Sequence, residues 1–580
     1  STIAVSLTEQ ETSDLLQQAP KAYRTQINDL LLTALVLSLG DWKGSYDLSL
    51  SLEGHGREDI IKDIDLSRTV GWFTSLFPVY LNIENPDDLA TVIKTVKEEL
   101  RQIPHKGIGY GILSYLNSEA SLNPHTHPTL SFNYLGQWDN TLTQEGLFSF
   151  SQESAGSSVS ELNTNPHLLD INAEVKEGAL HIAWGYSQNH YHKKTLETLS
   201  TNLIERLKQL IHHCCQDHNF GYTPSDFPLA RFTQENLNVS FRDIPHVEQI
   251  YPLSSMQSGL LFYSLYTPGS DAYFVQTLFN FEAKLDIGVF KSAWQKICNT
   301  HSIFKTGIFW ETLETPLQYV LETVEVPFEI LDWQNLKEES QKERLDAFIQ
   351  EDRKRGFDLS KPPLFRLTLI QWAAERYSLV WSQHHILLDG WCLPIVLGDV
   401  LKAYEAILQG KEVRLPFRRP FKDYIAWLQH QDIEQAEKFW KDSLYGLEGP
   451  TRLSFKELID KNPEKDYDTY LTVLSEEETE NLRKFAQDQS LTLNTLLQGT
   501  VGAVLKTYTR QEEIVLGVTV SGRSIDLPGI EDMVGLFINT LPLRMTFNQK
   551  ESLLPFLHTL QQTTQKLNEY AYVSLAQVQT

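Results

Sequence analysis

The 580 residues carry 50 Lys and Arg against 75 Asp and Glu, a formal net charge of −25, which opposes binding to nucleic acid through its phosphates. The longest apolar run, Leu30 to Leu39, is interrupted by Thr33 and Ser38 and falls far short of the ~20 residues of a membrane span. Four cysteines, two of them the adjacent Cys214 and Cys215, make no disulfide framework, so an acidic protein of a reducing cytoplasm is expected, without membrane or nucleic-acid partners. At ~150 residues per domain the length suggests about four folding units. The chain opens Ser-Thr-Ile-Ala-Val, with neither a basic leader nor an initiating Met; no secretory signal is read there, and the chain is expected to be cut from something longer.

From Ser1 the pattern predicts a strand over Ile3 to Leu7, then a helix begun at Thr8 with Glu11 three residues on, a capping box. A very apolar helix follows over Ile27 to Leu39. Leu48 to Glu58 alternates as a strand and runs into the glycine turn Gly54-His-Gly-Arg57. Leu130 to Gln137 reads as a strand and Thr195 to Cys215 as a helix. His212-His-Cys-Cys215 followed by His218 invites a zinc reading. Successive side chains on a helix lie about 100° apart, so at most His212 and Cys215 can share an ion. Two ligands are too few, and the stretch is read as an ordinary helix end with no metal. His125-Thr-His127 is read as a loop on the same grounds. Gly221 to Ala230 is rich in turn formers and reads as a linker.

The chain repeats itself. Leu7-Thr-Glu-Gln-Glu-Thr12 recurs as Leu474-Ser-Glu-Glu-Glu-Thr479, Arg57 of Gly-His-Gly-Arg meets Arg523 of Val-Ser-Gly-Arg, and Val70-Gly-Trp-Phe meets Val534-Gly-Leu-Phe. Three anchors in one register predict two tandem copies of a large domain. Copy one is expected to begin at its second lobe. Copy two has no counterpart to residues 114 to 215, whose strand and helix are expected to finish the lobe's sheet.

Trp381-Ser-Gln-His-His-Ile-Leu-Leu-Asp-Gly-Trp391 is the stretch that carries chemistry. Alternation over Leu364 to Ile370 and Tyr377 to Ser382 predicts strands, and helical spacing over Trp391 to Leu408 predicts a helix. The two histidines therefore end a strand and point to opposite faces, one toward a cavity. Asp389 and Gly390 turn the chain, the aspartate holding the loop through hydrogen bonds or an arginine. An isolated pair of this kind would be read as a core histidine beside a turn aspartate.

His384-His-x-x-x-Asp-Gly-Trp391 resembles the signature of condensation domains of nonribosomal peptide synthetases, within the chloramphenicol-acetyltransferase-like acyltransferases. Tyr251-Pro-Leu-Ser-Ser-Met-Gln257 resembles their first motif. Thr300-His-Ser-Ile-Phe-Lys-Thr306 departs from the family's Arg-His-x-x-Leu-Arg-Thr at both arginines, which bears on packing or carrier contacts. In the first copy, Glu53-Gly-His-Gly-Arg-Glu58, Arg68 to Thr74, Lys106 to Leu113 and Phe132-Asn-Tyr-Leu-Gly-Gln137 resemble the C-terminal half of the epimerization domain of the same synthetases. The resemblance implies an α/β (α+β) fold of tandem lobes, mixed sheets flanked by helices. It assigns 1–220 to the C-terminal lobe of an epimerization domain, 221–245 to a linker, 246–425 to the N-terminal lobe of a condensation domain, and 426–580 to its incomplete C-terminal lobe.

The reaction it implies is attack by the amine of a carrier-bound aminoacyl thioester on the thioester carbonyl of an upstream donor. His385 is then the working imidazole, with His384, Asp389, Gly390, Trp391 and Arg523 in support and Asp389 paired with Arg523. Glu53 would exchange an α proton opposite a histidine of another lobe, supported by Asn133 and Tyr134. No cofactor is expected to bind tightly, the substrates riding on the phosphopantetheine of upstream and downstream peptidyl carrier domains beside an adenylation domain. The basic cluster Lys411, Arg414, Arg418, Arg419 and Lys422 is a candidate contact for that phosphate or for an acidic carrier, against the plainer reading of a solvated face. Tyr266 to Tyr273 and the first motif resemble the subtype that follows epimerization domains, so a D-configured donor is expected. A coenzyme A-dependent acyltransferase of the same fold and a non-catalytic docking scaffold are the rival readings. The tandem arrangement and the epimerization motifs count against the first of these.

Overall fold

The computed structural model describes every residue except 62–63, 118–127, 138–152, 154–155, 157–159, 161–164, 268, 270, 448, 450, 454–469, 549 and 574–580; His125 and His127 lie outside the described residues. The chain divides into two compact units, Ser1–Pro245 and His246–Thr580.

In the first unit six strands, β1 (Thr2–Ser6), β2 (Asp47–Gly54), β3 (Ser75–Asn82), β4 (Leu130–Gln137), β5 (Leu169–Lys176) and β6 (Ala179–Tyr186), form one mixed sheet in the order β1-β6-β5-β4-β2-β3. Both β4 pairings, to β2 and to β5, are parallel. Alternation sends Leu50, Leu52, Phe132 and Ile171 into the core and leaves Ser51, Glu53, Ser131, Asn133 and Asp170 on the other face. The helix Ile27–Lys43 buries Leu30 through Leu37 in the same core as Leu199, Leu203 and Leu207 of the helix Lys193–Cys214.

The stretch expected as a linker is packed onto this unit. Tyr222, Phe227 and Phe241 are buried, residues Gln234–Ser240 form a helix capped by Thr233, and Asp226 pairs with the buried Lys97 at 2.6 Å. A turn-rich composition marks the absence of long periodic elements, not the absence of packing.

In the second unit β7 (Val247–Pro252), β10 (Leu317–Leu321) and β9 (Thr306–Phe309) make an antiparallel sheet. A mixed sheet runs β11 (Phe328–Asp332), β12 (Phe365–Ala373), β13 (Arg376–His384), β8 (Phe274–Glu282). β14 (Glu513–Val520) pairs with β15 (Asn539–Thr546). The helix Phe421–Gln429 runs unbroken through position 425, so the lobe boundary expected between 425 and 426 falls inside a helix.

The sequence repeat is a structural one. Each copy has a helix opened by a capping box, Thr8 with Glu11 and Ser475 with Glu478. A long helix follows, Ile27–Lys43 and Leu493–Thr509, then an antiparallel hairpin, β2–β3 and β14–β15. In the first copy β4 pairs with β2, whereas β14 and β15 form a two-stranded sheet among the described residues. Correspondingly, Leu497, Val501 and Val504 of the second long helix are about half exposed.

Candidate active site

β13 is a buried strand between β12 and β8, and it delivers His384 as its last residue. That imidazole is 8% exposed. Its Nδ1 accepts the Ile386 amide proton at 3.2 Å, which leaves the ring proton on Nε2, 3.5 Å from Ser264 Oγ. Burial, with the neighbouring His385 adding to it, pushes His384 down to about 4, so it is neutral near pH 7. His384 lines a cavity of about 790 Å³. The two histidines part as a strand end requires. His385 is tied through its backbone N–H to Tyr273 O at 2.8 Å, its side chain is half-buried, and its Nδ1 has no hydrogen-bond partner among the described residues.

Asp389 is 1% exposed and stitches the histidine loop to the second repeat. Its carboxylate accepts from Trp391 N at 3.1 Å, Phe537 N at 3.0 Å and Arg523 Nη2 at 3.2 Å. Arg523 Nη1 in turn donates to Ile530 O at 2.7 Å and Met533 O at 2.9 Å, and its guanidinium lies over the Phe537 ring at 4.4 Å. Sequence reasoning brought Asp389 and Arg523 together but missed Cys392. That thiol sits within 3.3 Å of Asp389, Gly535 and Arg523, and burial pushes it up to about 12. Its position directly after the motif was the available signal. Gly390 is exposed, and a Cβ there would meet open space, so this turn does not demand a glycine. Trp391 is largely exposed.

In the first unit Glu53, exposed near the end of β2, accepts from Asn133 Nδ2 at 2.7 Å. Tyr134, grouped with Asn133 in the sequence, packs against the core instead, because neighbouring positions on β4 face opposite ways. His213 stacks on Tyr23 and bonds its hydroxyl at 2.9 Å, while Cys214 is buried and Cys215 exposed.

The basic cluster after the histidine loop is largely spent on local carboxylates. Arg414 pairs with Glu412, Arg419 with Asp423, and the mostly buried Arg418 forks onto Asp399 at 2.9 and 3.0 Å. Desolvation works against Asp399, but the His301 imidazole 3.5 Å away and the Arg418 fork outweigh it and hold the carboxyl at about 2. Lys305, which stands where the motif resemblance calls for arginine, is buried and bonded to Glu248 at 2.6 Å and Glu322 O at 3.0 Å. The lysine thus keeps the local packing.

The family model for the condensation domain matches residues 1–227 and again 247–580. The chain belongs to the condensation-domain family. Among its relatives, one of the linear gramicidin synthase proteins of Brevibacillus parabrevis is 41% identical over 99% of this chain and 8% of its own length. Bacitracin synthase 3 of Bacillus licheniformis is 38% identical over 100% of this chain and 9% of its own. The chain therefore spans about a tenth of the length of such condensation-family relatives. Among solved structures, the epimerization domain from the third module of tyrocidine synthetase B is 42% identical, covers 37% of this chain and 48% of its own, and gives a TM-score of 0.35. The first condensation domain of the calcium-dependent antibiotic synthetase is 18% identical over 56% of this chain and 76% of its own, with a TM-score of 0.47.

Proposed function

We propose that residues 246–580 belong to a condensation domain of a peptide-antibiotic synthetase. It joins a carrier-bound donor acyl thioester to the amine of a carrier-bound acceptor, with residues 1–220 contributing the Glu53 half of an epimerization site ahead of it. The observation that carries this is the division of labour at the end of β13. His384 is desolvated to about 4 and its Nδ1 is occupied by a backbone amide, so it is a weak base whose lone pair is already engaged. His385 is half-buried with Nδ1 unengaged among the described residues, on a loop fixed by Asp389. An α-amine of pKa ~8 must lose its proton to attack, and an imidazole can take that proton or orient the amine. The thioester already supplies the activation, and holding two tethered substrates head to head supplies effective concentration. Peptidyl carrier domains on both sides and an adenylation domain are the partners, in the cytoplasm, with phosphopantetheine arriving on the carriers. A D-configured donor fits the order of the segments, since a domain placed after an epimerization lobe receives both configurations; tenfold discrimination needs only ~1.4 kcal/mol.

The test is acyl transfer between two separately loaded carriers. His385→Ala should remove most condensation at unchanged melting temperature, and donors ending in a D-residue should react faster than their L-forms. Full activity without His385 would defeat the assignment. Transfer from coenzyme A thioesters as fast as from carriers would favour the free-standing transferase.

A further inference from the structure

The stretch Tyr251-Pro-Leu-Ser-Ser-Met-Gln257 has no task in the proton transfer. Its last residue is nevertheless wholly enclosed: Gln257 is 1% exposed, and Gln318 against it 0%. Burying two side-chain amides is costly unless each donor and acceptor finds a partner, so the partners they find are informative.

Gln257 is the third residue of the helix Ser255–Tyr266, where it completes a capping box with Ser254. Its Oε1 accepts from Ser254 N–H at 2.9 Å and from Gln318 Nε2 at 2.9 Å. Its Nε2 donates to Gln318 Oε1 at 3.1 Å and to Ile386 O at 3.2 Å. Both acceptor positions and both protons are thereby used. Gln318, on β10 opposite Tyr251 of β7, sends its other proton to Pro252 O at 2.9 Å. The amide has one orientation, because Ser254 N–H can face only its oxygen and Ile386 O only its nitrogen. A helix cap needs the oxygen alone. The reach of the nitrogen to Ile386 is an addition to it.

Ile386 directly follows His385. The His385 N–H is held by Tyr273 O at 2.8 Å, the Ile386 N–H by His384 Nδ1 at 3.2 Å, and the Ile386 carbonyl by Gln257. The backbone on both sides of His385 is thus bonded, whereas its ring Nδ1 has no hydrogen-bond partner among the described residues. The direction of the ring therefore depends on the backbone that carries it. Asp389, through Arg523 and the Phe537 amide, fixes the other end of the loop. Resting on the reading of His385 as the working imidazole, we infer that the Gln257–Gln318 amide pair is a positioning device for that imidazole, holding the Ile386 carbonyl so that the ring meets the acceptor amine in one attitude. A misplacement of about 1 Å at a reacting group can cost about a hundredfold in rate. Loss of this anchor should accordingly show in turnover before it shows in carrier binding.

Acyl transfer between two separately loaded carriers on the full chain tests this, together with ¹⁵N spectra of its histidines. Gln257→Met keeps the side-chain length and removes the amide. Well below its melting transition it should lower kcat by about tenfold or more, with KM for both carriers within about twofold. In a His385→Ala background the same substitution should change the residual rate by less than about twofold, because its effect runs through that ring. The His385 resonance, assigned by its loss in His385→Ala, should shift or broaden in Gln257→Met. Gln318→Met leaves Ser254 and Ile386 bonded to Gln257 and should cost about threefold in kcat; it carries the test if Gln257→Met melts below the assay temperature. Parental kcat in a folded variant, a loss that persists undiminished without His385, or an unmoved His385 resonance overturns the proposal. Should His385→Ala keep full condensation, the reading of His385 fails, and the resonance still decides whether the amide pair sets that ring.

Discussion

Two corners of this chain are built alike and used differently. Gly56 and Gly522 both sit at a φ of +66°, and a Cβ on either would stand 1.6 Å from Phe73 O or 1.8 Å from Phe537 O. Beside each, an arginine lies 4.4 Å over a phenylalanine ring. Arg57 collects the carbonyls of Leu66, Thr69 and Gly71; Arg523 collects those of Ile530 and Met533. There the likeness stops. Arg523 also meets Asp389, and Val534 and Leu536 are 4% and 1% exposed; Val70 and Trp72, at the matching positions, are 99% and 90% exposed. Among the described residues no carboxylate pairs with Arg57. The corner is therefore a local device, a glycine turn clamped by an arginine, and the buried aspartate is what a separate segment adds to the second copy.

The largest effect expected from this comparison is equal in the two corners. Gly56→Ala and Gly522→Ala each combine a left-handed φ with a clash against backbone, and each should destabilise its own unit by more than ~4 kcal/mol. A small loss at Gly56, read from the first unit's melting transition, would mean that the likeness is only apparent. Asp389→Ala comes next, at ~3 to 5 kcal/mol, because it leaves the buried Arg523 charge without its carboxylate and the Phe537 amide without its acceptor. An inactive variant that melts like the parent would instead make Asp389 a chemical group. Third, Leu536→Ala should cost ~2 to 5 kcal/mol through its cavity, while Trp72→Ala should stay within ~0.5 kcal/mol. Equal costs would show that Trp72 is covered in solution.

The smallest effect is in pH dependence. His384 is depressed to about 4 in the fold from an ordinary value of 6.5, so between those values the unfolded chain binds the extra proton. Its contribution is intact above about pH 6.5 and is lost progressively as pH falls toward about 4, reaching at most ~3 kcal/mol. His384→Gln should flatten the second unit's melting temperature over that window, and an unchanged slope would show that some other group carries it.

Local signals were the legible part of this fold. Thr8 with Glu11, the alternation of Leu130 to Gln137 and the strand-to-helix turn at Asp389 each rest on a few neighbouring residues, and the structure forms them where the pattern lies. The Asp389–Arg523 meeting came from the repeat and the family resemblance, not from spacing. What stayed hidden depends on residues far apart in sequence. Nothing local to Asp352 announces that Arg366, Gln276 and Ser382 converge on it. Nothing near Asp226 announces Lys97. The two histidines illustrate both cases: their opposite facing follows from the strand, but which one loses its basicity depends on what Ser264 and Tyr273 happen to cover.

Asp389 also sets an order of events during synthesis. Its acceptors are satisfied by Arg523 and by the Phe537 amide, 134 and 148 residues downstream. At ~5 to 20 residues per second a ribosome needs roughly 7 to 30 s to supply that stretch. Through that interval the β12–β13–β8 sheet can already be paired, while the loop that presents His385 still lacks the partners that fix it. The finished geometry of the histidine loop therefore waits on a segment made 134 to 148 residues after Asp389.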